Sequence, residues 1–378
     1  MDINFKFGRN WQQFLDESFD HKRVTIAQQH LLKTLRLENL KGKIFLDIGC
    51  GSGIHSLAAL AAGAEKVISI DVDPQSVAAT KSLWRNAGKP RNWSQAEGSV
   101  LDEAFMQSLP KADIVYSWGV LHHTGSMWEA LDKVTIPLAT DGILYIALYA
   151  YEMYQNPTPE YWIETKRAYN QASPEQREKM EYDYAWEQVL KPVAAKGENP
   201  LLVIKDYSKS RGMEFWTDVR DWLGGYPMEF AKASDIAQHF YRQHNMIVVD
   251  IVTGEGNTEF LLRSVDSPSA GQHITDEYDI INISVATQPI DGFGYKVHLP
   301  EYSAFADTDG EHFKSPLLVY ENGLLLGFPH ARFESINTLG EGRFCHWKDS
   351  LLYSSSDNSD PRINGKTYSL RVPKKLDK

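Results

Sequence analysis

The sequence predicts an α/β protein built on a doubly wound, mostly parallel sheet, followed by a separate β-rich module. Three observations carry this. Short apolar strands alternate with helical stretches from residue 41 to about 149. A glycine-rich turn joins the first of these strands to an alanine- and leucine-rich helix. Finally, the last hundred or so residues trade helix periodicity for short strand-like runs broken by "ENG", "LGEG" and "NGK".

Taken in order, "DHKRVTIAQQHLLKTLRL" spaces its apolar residues as a helix. "KIFLDIGCGSGIHSLAALAAGA" reads as strand, turn and helix, and "KVISID" as a second strand, with Asp73 and Pro74 opening the next helix. "ADIVYSWGV" and "GILYIALYAY" are buried strands flanking the helical "SMWEALDKVTIPLA". Residues 150–232 are helical in pattern and rich in tyrosine, tryptophan and charge. "MIVVDIVTGEGNTEFLL" restores a strand hairpin, and "SVDSPSAGQH" reads as a polar linker. The expected segments are an N-terminal helical cap (1–40), a ligand-binding α/β domain (41–149 and 233–264), a helical insertion (150–232) and the β-rich module (272–378).

Composition bounds the function. The chain has 378 residues, 42% hydrophobic, with a formal net charge of -11. That balance favours a large core and offers no bulk attraction to nucleic acid or to an anionic membrane. The N-terminus has no basic stretch followed by an apolar run, and no run reaches the roughly 20 apolar residues that span a bilayer. The two cysteines, Cys50 and Cys345, suggest no disulfide framework, so a cytoplasmic location is expected. No feature assigns an oligomeric state.

"LDIGCGSG" concentrates the chemistry. Gly49, Gly51 and Gly53 permit a sharp turn and close approach of a ligand to the backbone, with a helix N-terminus aimed at the same point. The spacing is G-x-G-x-G, unlike the dinucleotide G-x-G-x-x-G. Asp47 precedes the turn, where it would repel a pyrophosphate and suit a cationic amino group. Asp71 closes the second strand, placed to accept hydrogen bonds from ribose hydroxyls. A nucleoside with a charged amino-acid tail, S-adenosylmethionine, satisfies all three features.

"FLDIGCGSGIHSLAA", "VISIDVDPQSV", "GSVLD" and "DIVYSWGVLHHTG" resemble, in order, the motifs of class I S-adenosylmethionine-dependent methyltransferases. The resemblance implies a Rossmann-like seven-stranded sheet. It implies that Asp47, Gly49, Cys50, Gly51 and Gly53 hold the methionine part of the cofactor and that Asp71 and Val72 hold its ribose. Ser99 and Val100 would meet the adenine, and Trp118 would line the same pocket. Ser99 stands where many members carry an acidic residue, and Cys50 reads as a small residue in the turn.

His122 and His123 follow the fourth strand, beside the transferred methyl group in this fold. An ordinary imidazole, with pKa near 6.5, can take a proton from a hydroxyl nucleophile. The alternative is a packing role. In an extended segment the two rings would face opposite ways, which argues against a shared metal, and no metal is expected.

At the end of the insertion, "SRGMEFWTDVRDWLGGYPMEFA" offers Arg211, Trp216, Asp218, Asp221 and Tyr226 as polyol-recognition groups, or else a helix docked by its tryptophans. With "FGRNW", where Trp11 would belong to a lid, and "GVLHHTG", this stretch resembles a bacterial methyltransferase subfamily associated with polysaccharide and secondary-metabolite biosynthesis. Thr217 and "GNTEF" depart from that pattern. In the β-rich module, His330, Arg332, Arg343, His346 and Trp347 are candidates to face a common ligand. Asp357, Asn358, Asp360 and Asn364 are oxygen-rich, as ordinary turns are. The expected reaction is O-methylation of a sugar-like or other polar small molecule, with no nucleic-acid or membrane partner. The alternatives are a peptide or protein methyltransferase whose module docks the polypeptide, and a non-catalytic cofactor-binding scaffold.

Overall fold

A computed structural model describes residues 21–211 and 215–375; at 21, 22, 208–211, 254, 255 and 273 it describes backbone alone. After helix α1 (His21–Leu35) come β1 (Ile44–Ile48), α2 (Ile54–Ala61), β2 (Lys66–Asp71), α3 (Pro74–Asn86), β3 (Trp93–Glu97), α4 (Glu103–Ser108), β4 (Ala112–Trp118), α5 (Met127–Lys133) and β5 (Leu138–Leu148). The insertion supplies α6 (Pro159–Gln171), α7 (Pro174–Tyr184), α8 (Lys191–Ala195), α9 (Pro200–Arg211) and α10 (Phe215–Gly224). Then follow α11 (Ala233–His244), β6 (Met246–Glu255) and β7 (Asn257–Ser264).

These strands form one seven-stranded sheet in the order β3-β2-β1-β4-β5-β7-β6. β1 pairs in parallel with β2 and β4, β2 in parallel with β3, and β6 antiparallel with β7. Central strands of a parallel sheet are covered on both faces, so they read as unbroken apolar runs. Phe45, Leu46, Ile114 and Val115 are fully inaccessible to solvent. Tyr116 stacks on Tyr145, with ring centroids 5.2 Å apart and planes within 8°.

The strands after β7 form two four-stranded sheets. One runs β13-β14-β10-β9 (Phe344–Trp347, Ser350–Tyr353, Tyr295–His298, Gln288–Pro289) and the other β12-β11-β15-β8 (Leu324–Leu325, Leu318–Glu321, Tyr368–Pro373, Tyr278–Asn282). Val297, Val319, Phe344, Leu351, Tyr353, Tyr368 and Leu370 pack into one core.

The predicted linker differs from the structure. "SPSAGQHITDE" carries a helix, α12 (Pro268–Glu277), with Ser267 at its N-cap position and Pro268 in its first turn. Proline at that position loses no intrahelical bond and is already set to a helical φ. A second short helix, α13 (Phe333–Thr338), lies in the module that reads as almost free of helix.

Among the described residues the chain divides into two compact units: residues up to 146 with 156–229, and residues 147–155 with 230 onward. The hairpin β6–β7 thus falls in the same unit as the C-terminal sheets. Within that unit Arg371 and Tyr320 join the C-terminal sheets to β6, the Tyr320 hydroxyl donating to the Val248 carbonyl and Arg371 reaching both Tyr320 and Val249. The Arg371 guanidinium lies 3.5 Å from the Tyr320 ring centroid, and it donates to the Tyr320 hydroxyl (2.9 Å) and to the Val249 carbonyl of β6 (3.4 Å).

Candidate functional site

β1 ends between two parallel neighbours, with Asp47 beside Ser69 on β2 and Tyr116 on β4. The chain must then leave the sheet sharply. Gly49, Gly51 and Gly53 take φ of 76°, 52° and 80°, the left-handed region that side chains resist. Space is as limiting as torsion: a Cβ on Gly49 would stand 2.4 Å from the Val120 side chain, and one on Gly53 2.8 Å from Thr80. The buried Thr80 donates to the Gly51 carbonyl (3.0 Å), and its hydroxyl lies 3.3 Å from the Cys50 sulfur. Burial pushes the Cys50 thiol well up, which removes it as a nucleophile.

Asp71, half-buried at the end of β2, accepts from Gly51 N–H (3.0 Å) through one oxygen and from Asp73 N–H (2.9 Å) through the other. Desolvation raises its pKa to about 6 against those hydrogen bonds. The loop is therefore closed over the β1–β2 edge by a carboxylate that retains lone pairs for further donors.

Asp47, expected from sequence to suit a cationic amino group, lies enclosed beneath the loop. It is 3% exposed, and Ser56 donates to it at 2.5 Å. Ser69 stands 2.6 Å from Ser56 and itself receives the Trp93 indole N–H at 2.8 Å. Burial, with the charge of Asp71 adding to it, brings Asp47 up to about 7, while the Ser56 hydrogen bond acts the other way. Ser56, Ser69 and Thr80 escape the sequence reading. The available signal is a polar residue inside an apolar strand or helix, which must find a partner once buried.

Val72 is 67% exposed beside Asp71. Ser99 accepts the Leu101 N–H (3.1 Å) in the turn after β3, and Val100 is buried there. Trp118, at the end of β4, is 39% exposed, with its ring 6.4 Å from that of His55. The ends of β1, β2 and β4 thus bring the glycine loop, Asp71 and Trp118 to one edge of the sheet.

The histidine pair departs from expectation in both geometry and basicity. Leu121–His123 is a turn of 3-10 helix, not extended chain, and the two rings lie 4.3 Å apart at 55°. Successive residues of such a helix are about 120° apart, so adjacent side chains can share a side. His122 is fully buried. The His123 ring donates through Nδ1 to the Pro227 carbonyl (2.7 Å), since a carbonyl can only accept. Desolvation, helped by the charges of His123 and Lys166, holds His122 well below 6.5; desolvation and Lys166 take His123 to about 3. Both rings are neutral near pH 7, and His123 then carries its lone pair on Nε2. Residues 227–229 strap this turn down: Glu229 N–H donates to the His122 carbonyl (2.9 Å), and the Glu229 carboxylate accepts Met127 N–H (2.8 Å).

The insertion residues grouped from sequence are described in part. Trp11 and the Arg211 side chain lie outside the described residues. Trp216 packs edge-on to Tyr182 (5.0 Å), lining a 310 Å³ cleft with Glu178, Glu181 and Arg220. Asp218 accepts the Tyr207 hydroxyl, and Asp221 acts electrostatically on Lys166. The Tyr226 hydroxyl accepts from Arg167 (3.2 Å). Residues 216 and 218 stand about 200° apart around a helix, so one face cannot present both.

In the second unit, Asp307 accepts from His330 Nδ1 (2.6 Å), and Ser315 lies 2.9 Å from His346 Nδ1. Arg343 instead donates to the Gly340 carbonyl and pairs with Glu341. Arg332 stands at the N-cap position of α13 with no side-chain cap bond, and Trp347 stacks on His312. Asp357 pairs with Lys366, Asp360 with Arg362, and Asn364 donates to Ser359 and Tyr368. Asn358 donates to the Leu339 carbonyl and accepts Glu341 N–H.

The strand order, the glycine loop and the acidic end of β2 together define a class I methyltransferase fold. A family model described as ribosomal protein L11 methyltransferase (PrmA) matches residues 27–117. The ribosomal protein L11 methyltransferase of Vibrio vulnificus (strain CMCP6) is 54% identical over 119 residues, 30% of this chain and 38% of that protein. That of Photobacterium profundum is 54% identical over 125 residues, with the same two shares. The chain thus spans 38% of the length of these relatives. Among solved structures, a putative S-adenosylmethionine-dependent methyltransferase from Listeria monocytogenes aligns at TM-score 0.28 and 25% identity, over 34% of this chain and 57% of that one. Magnesium protoporphyrin IX methyltransferase from Synechocystis PCC 6803 aligns at 0.39 and 14%, over 68% and 93%.

Proposed function

We propose that this chain is an S-adenosylmethionine-dependent methyltransferase and that its acceptor is a polypeptide. The observation that carries the cofactor is the glycine loop closed by Asp71 across the β1–β2 edge. Asp71 keeps lone pairs for the ribose hydroxyls, with Val72 alongside. The backbone of Gly49, Cys50, Gly51 and Gly53 receives the amino-acid portion, Asp47 braces the loop from within, and Ser99, Val100 and Trp118 frame the adenine end. When bound, the cofactor supplies an electrophilic methyl group. His123, neutral and directed by Pro227, offers Nε2 as the proton acceptor, and His122 packs beneath it.

The names of the matching relatives support a polypeptide acceptor over the sugar-like one that the sequence suggests. A polar small-molecule acceptor has one observation in its favour, the Tyr182–Trp216 cleft with Glu178 and Arg220 beside it. In this proposal residues 41–149 with 233–264 bind cofactor, 150–232 present the acceptor, and 272–378 dock it. A cytoplasmic setting fits the two free, buried cysteines. Among the described residues no helix is long and apolar enough to cross a membrane.

The test is methyl transfer from radiolabelled cofactor into a ribosomal-protein mixture and, separately, into a panel of polar sugars. Label in acid-precipitable polypeptide supports the first reading, and label only in the soluble fraction replaces it with the second. Failure of calorimetry to detect S-adenosylhomocysteine binding removes both.

A further inference from the structure

Lys166 lies in the middle of α6 with no solvent exposure, and among the described residues it makes no ion pair. A buried ammonium is costly unless something offsets it. Here the offset is the C-terminal end of another helix. Lys166 Nζ donates to the Trp222 carbonyl, in the last turn of α10, and sits 3.9 Å from the centroid of the Trp222 indole. Carbonyls at that end have no intrahelical donor and carry the negative end of the helix dipole, so a cation is favoured there.

Two neighbours of Lys166 continue the pattern. Asn170 Nδ2, one turn on, donates to the Gly224 carbonyl (2.8 Å) and to the Lys166 carbonyl (2.9 Å). Arg167 Nε donates to the Tyr226 hydroxyl (3.2 Å), with its guanidinium 5.6 Å from that ring's centroid. Residues 222, 224 and 226 are thus each fastened to α6. The next residues are the strap over the histidine turn: Pro227 accepts from His123, and Glu229 reaches both the His122 carbonyl and Met127 N–H. Nothing in the spacing of residues 166, 222 and 227 reveals this sequence of contacts.

We propose that Lys166 is a positioning residue for methyl transfer: by capping α10 it fixes the 224–229 strap, and through the Pro227 carbonyl it sets the orientation and tautomer of His123. The bland account, a cap that serves stability alone, predicts no effect on turnover in folded protein. Burial also lowers the Lys166 pKa well below its ordinary value, with Asp221 opposing this, so the cap works within a water-poor cluster.

This inference rests on the methyltransferase reading, and the experiment separates the two. Lys166→Met keeps the volume and removes the donor. The expected result is turnover lower by about 10²-fold, as for a misplaced catalytic group. S-adenosylhomocysteine affinity should change by less than about threefold, and amide exchange at Glu229 should quicken. Lys166→Arg, which retains a donor, should recover part of the rate. If Lys166→Met fails to fold, Asn170→Ala, which frees the Gly224 carbonyl, decides by the same readouts. Unchanged exchange at Glu229, or a lower melting temperature with kcat and KM intact, overturns the proposal. If the wild type does not bind S-adenosylhomocysteine, the methyltransferase reading falls, and exchange at Glu229 alone decides whether Lys166 holds the strap.

Discussion

The Asp71 carboxylate accepts the Gly51 backbone N–H at 3.0 Å, joining the end of β2 to the middle of the glycine loop twenty residues earlier. The acid that the sequence offers to a ribose is therefore also the acid that shapes the loop. Its second oxygen holds Asp73 N–H at 2.9 Å, where α3 begins. The proposed ribose contact and the loop geometry run through one side chain.

Asp71→Asn should weaken S-adenosylhomocysteine binding by about 1.5–3 kcal/mol, the range for hydrogen bonds to a charged group. The wild type should bind more tightly as pH rises through about 6, because the hydroxyl donors of the ligand need the carboxylate and desolvation has raised its pKa to that value. The Asn variant should show no such step. Calorimetric titrations between pH 5 and 8 measure this, and equal wild-type affinity across that range would remove Asp71 from the ribose site.

His123→Gln should lower turnover by about 10²-fold, the low end for a base because a ring with pKa about 3 accepts a proton weakly, with cofactor affinity retained since the amide can still donate to Pro227. The wild-type rate should stay level through pH 6.5, since the His123 pKa is depressed to about 3. Stability moves with the same group. The unfolded imidazole takes up a proton below about 6.5 and the folded one does not until about 3, so stability falls as pH drops across that window. Asp47, raised to about 7, contributes with the opposite sign. The measurement is therefore the difference between wild type and His123→Gln in urea unfolding at pH 5 and 7.5. A rate midpoint near 6.5 would mean that a solvated histidine carries the chemistry.

Arg371→Met should destabilise the second unit by about 2–4 kcal/mol, from the loss of two charged hydrogen bonds and the stacked Tyr320 face. Met retains much of the buried volume, so lost packing contributes less. Urea unfolding monitored by tryptophan fluorescence reports the change. A shift below about 0.5 kcal/mol would assign the joint between β6 and the C-terminal sheets to the Tyr320–Val248 hydrogen bond and the apolar contacts.

Part of this molecule is legible because its causes are local. A strand of IFLDI running into G-x-G-x-G has few conformations open to it, and Asp73–Pro74 begins a helix through its own side chain and ring. Alternating apolar strands and helices imply the parallel sheet. Asp71 follows from its place at the end of the second strand. The helix at 268–277 escapes the same reading because its polar composition hides a proline-led start.

The rest is decided by partners far apart in sequence. That Asp47 is held by Ser56, with Ser69 behind it, is not visible in the sequence. His122 and His123 read as an extended pair near pKa 6.5 until a tight turn makes them adjacent and burial makes them neutral, while the Pro227 carbonyl, 104 residues on, orients the His123 ring. Trp216 and Asp218 read as parts of one recognition set, yet in the fold Trp216 packs on Tyr182 and Asp218 accepts the Tyr207 hydroxyl. Lys166 carries no motif at all, yet it meets Trp222 across 56 residues. Backbone sterics act within a few residues and so appear in spacing. Burial, dielectric and the identity of a hydrogen-bond partner exist only once the chain has folded back on itself.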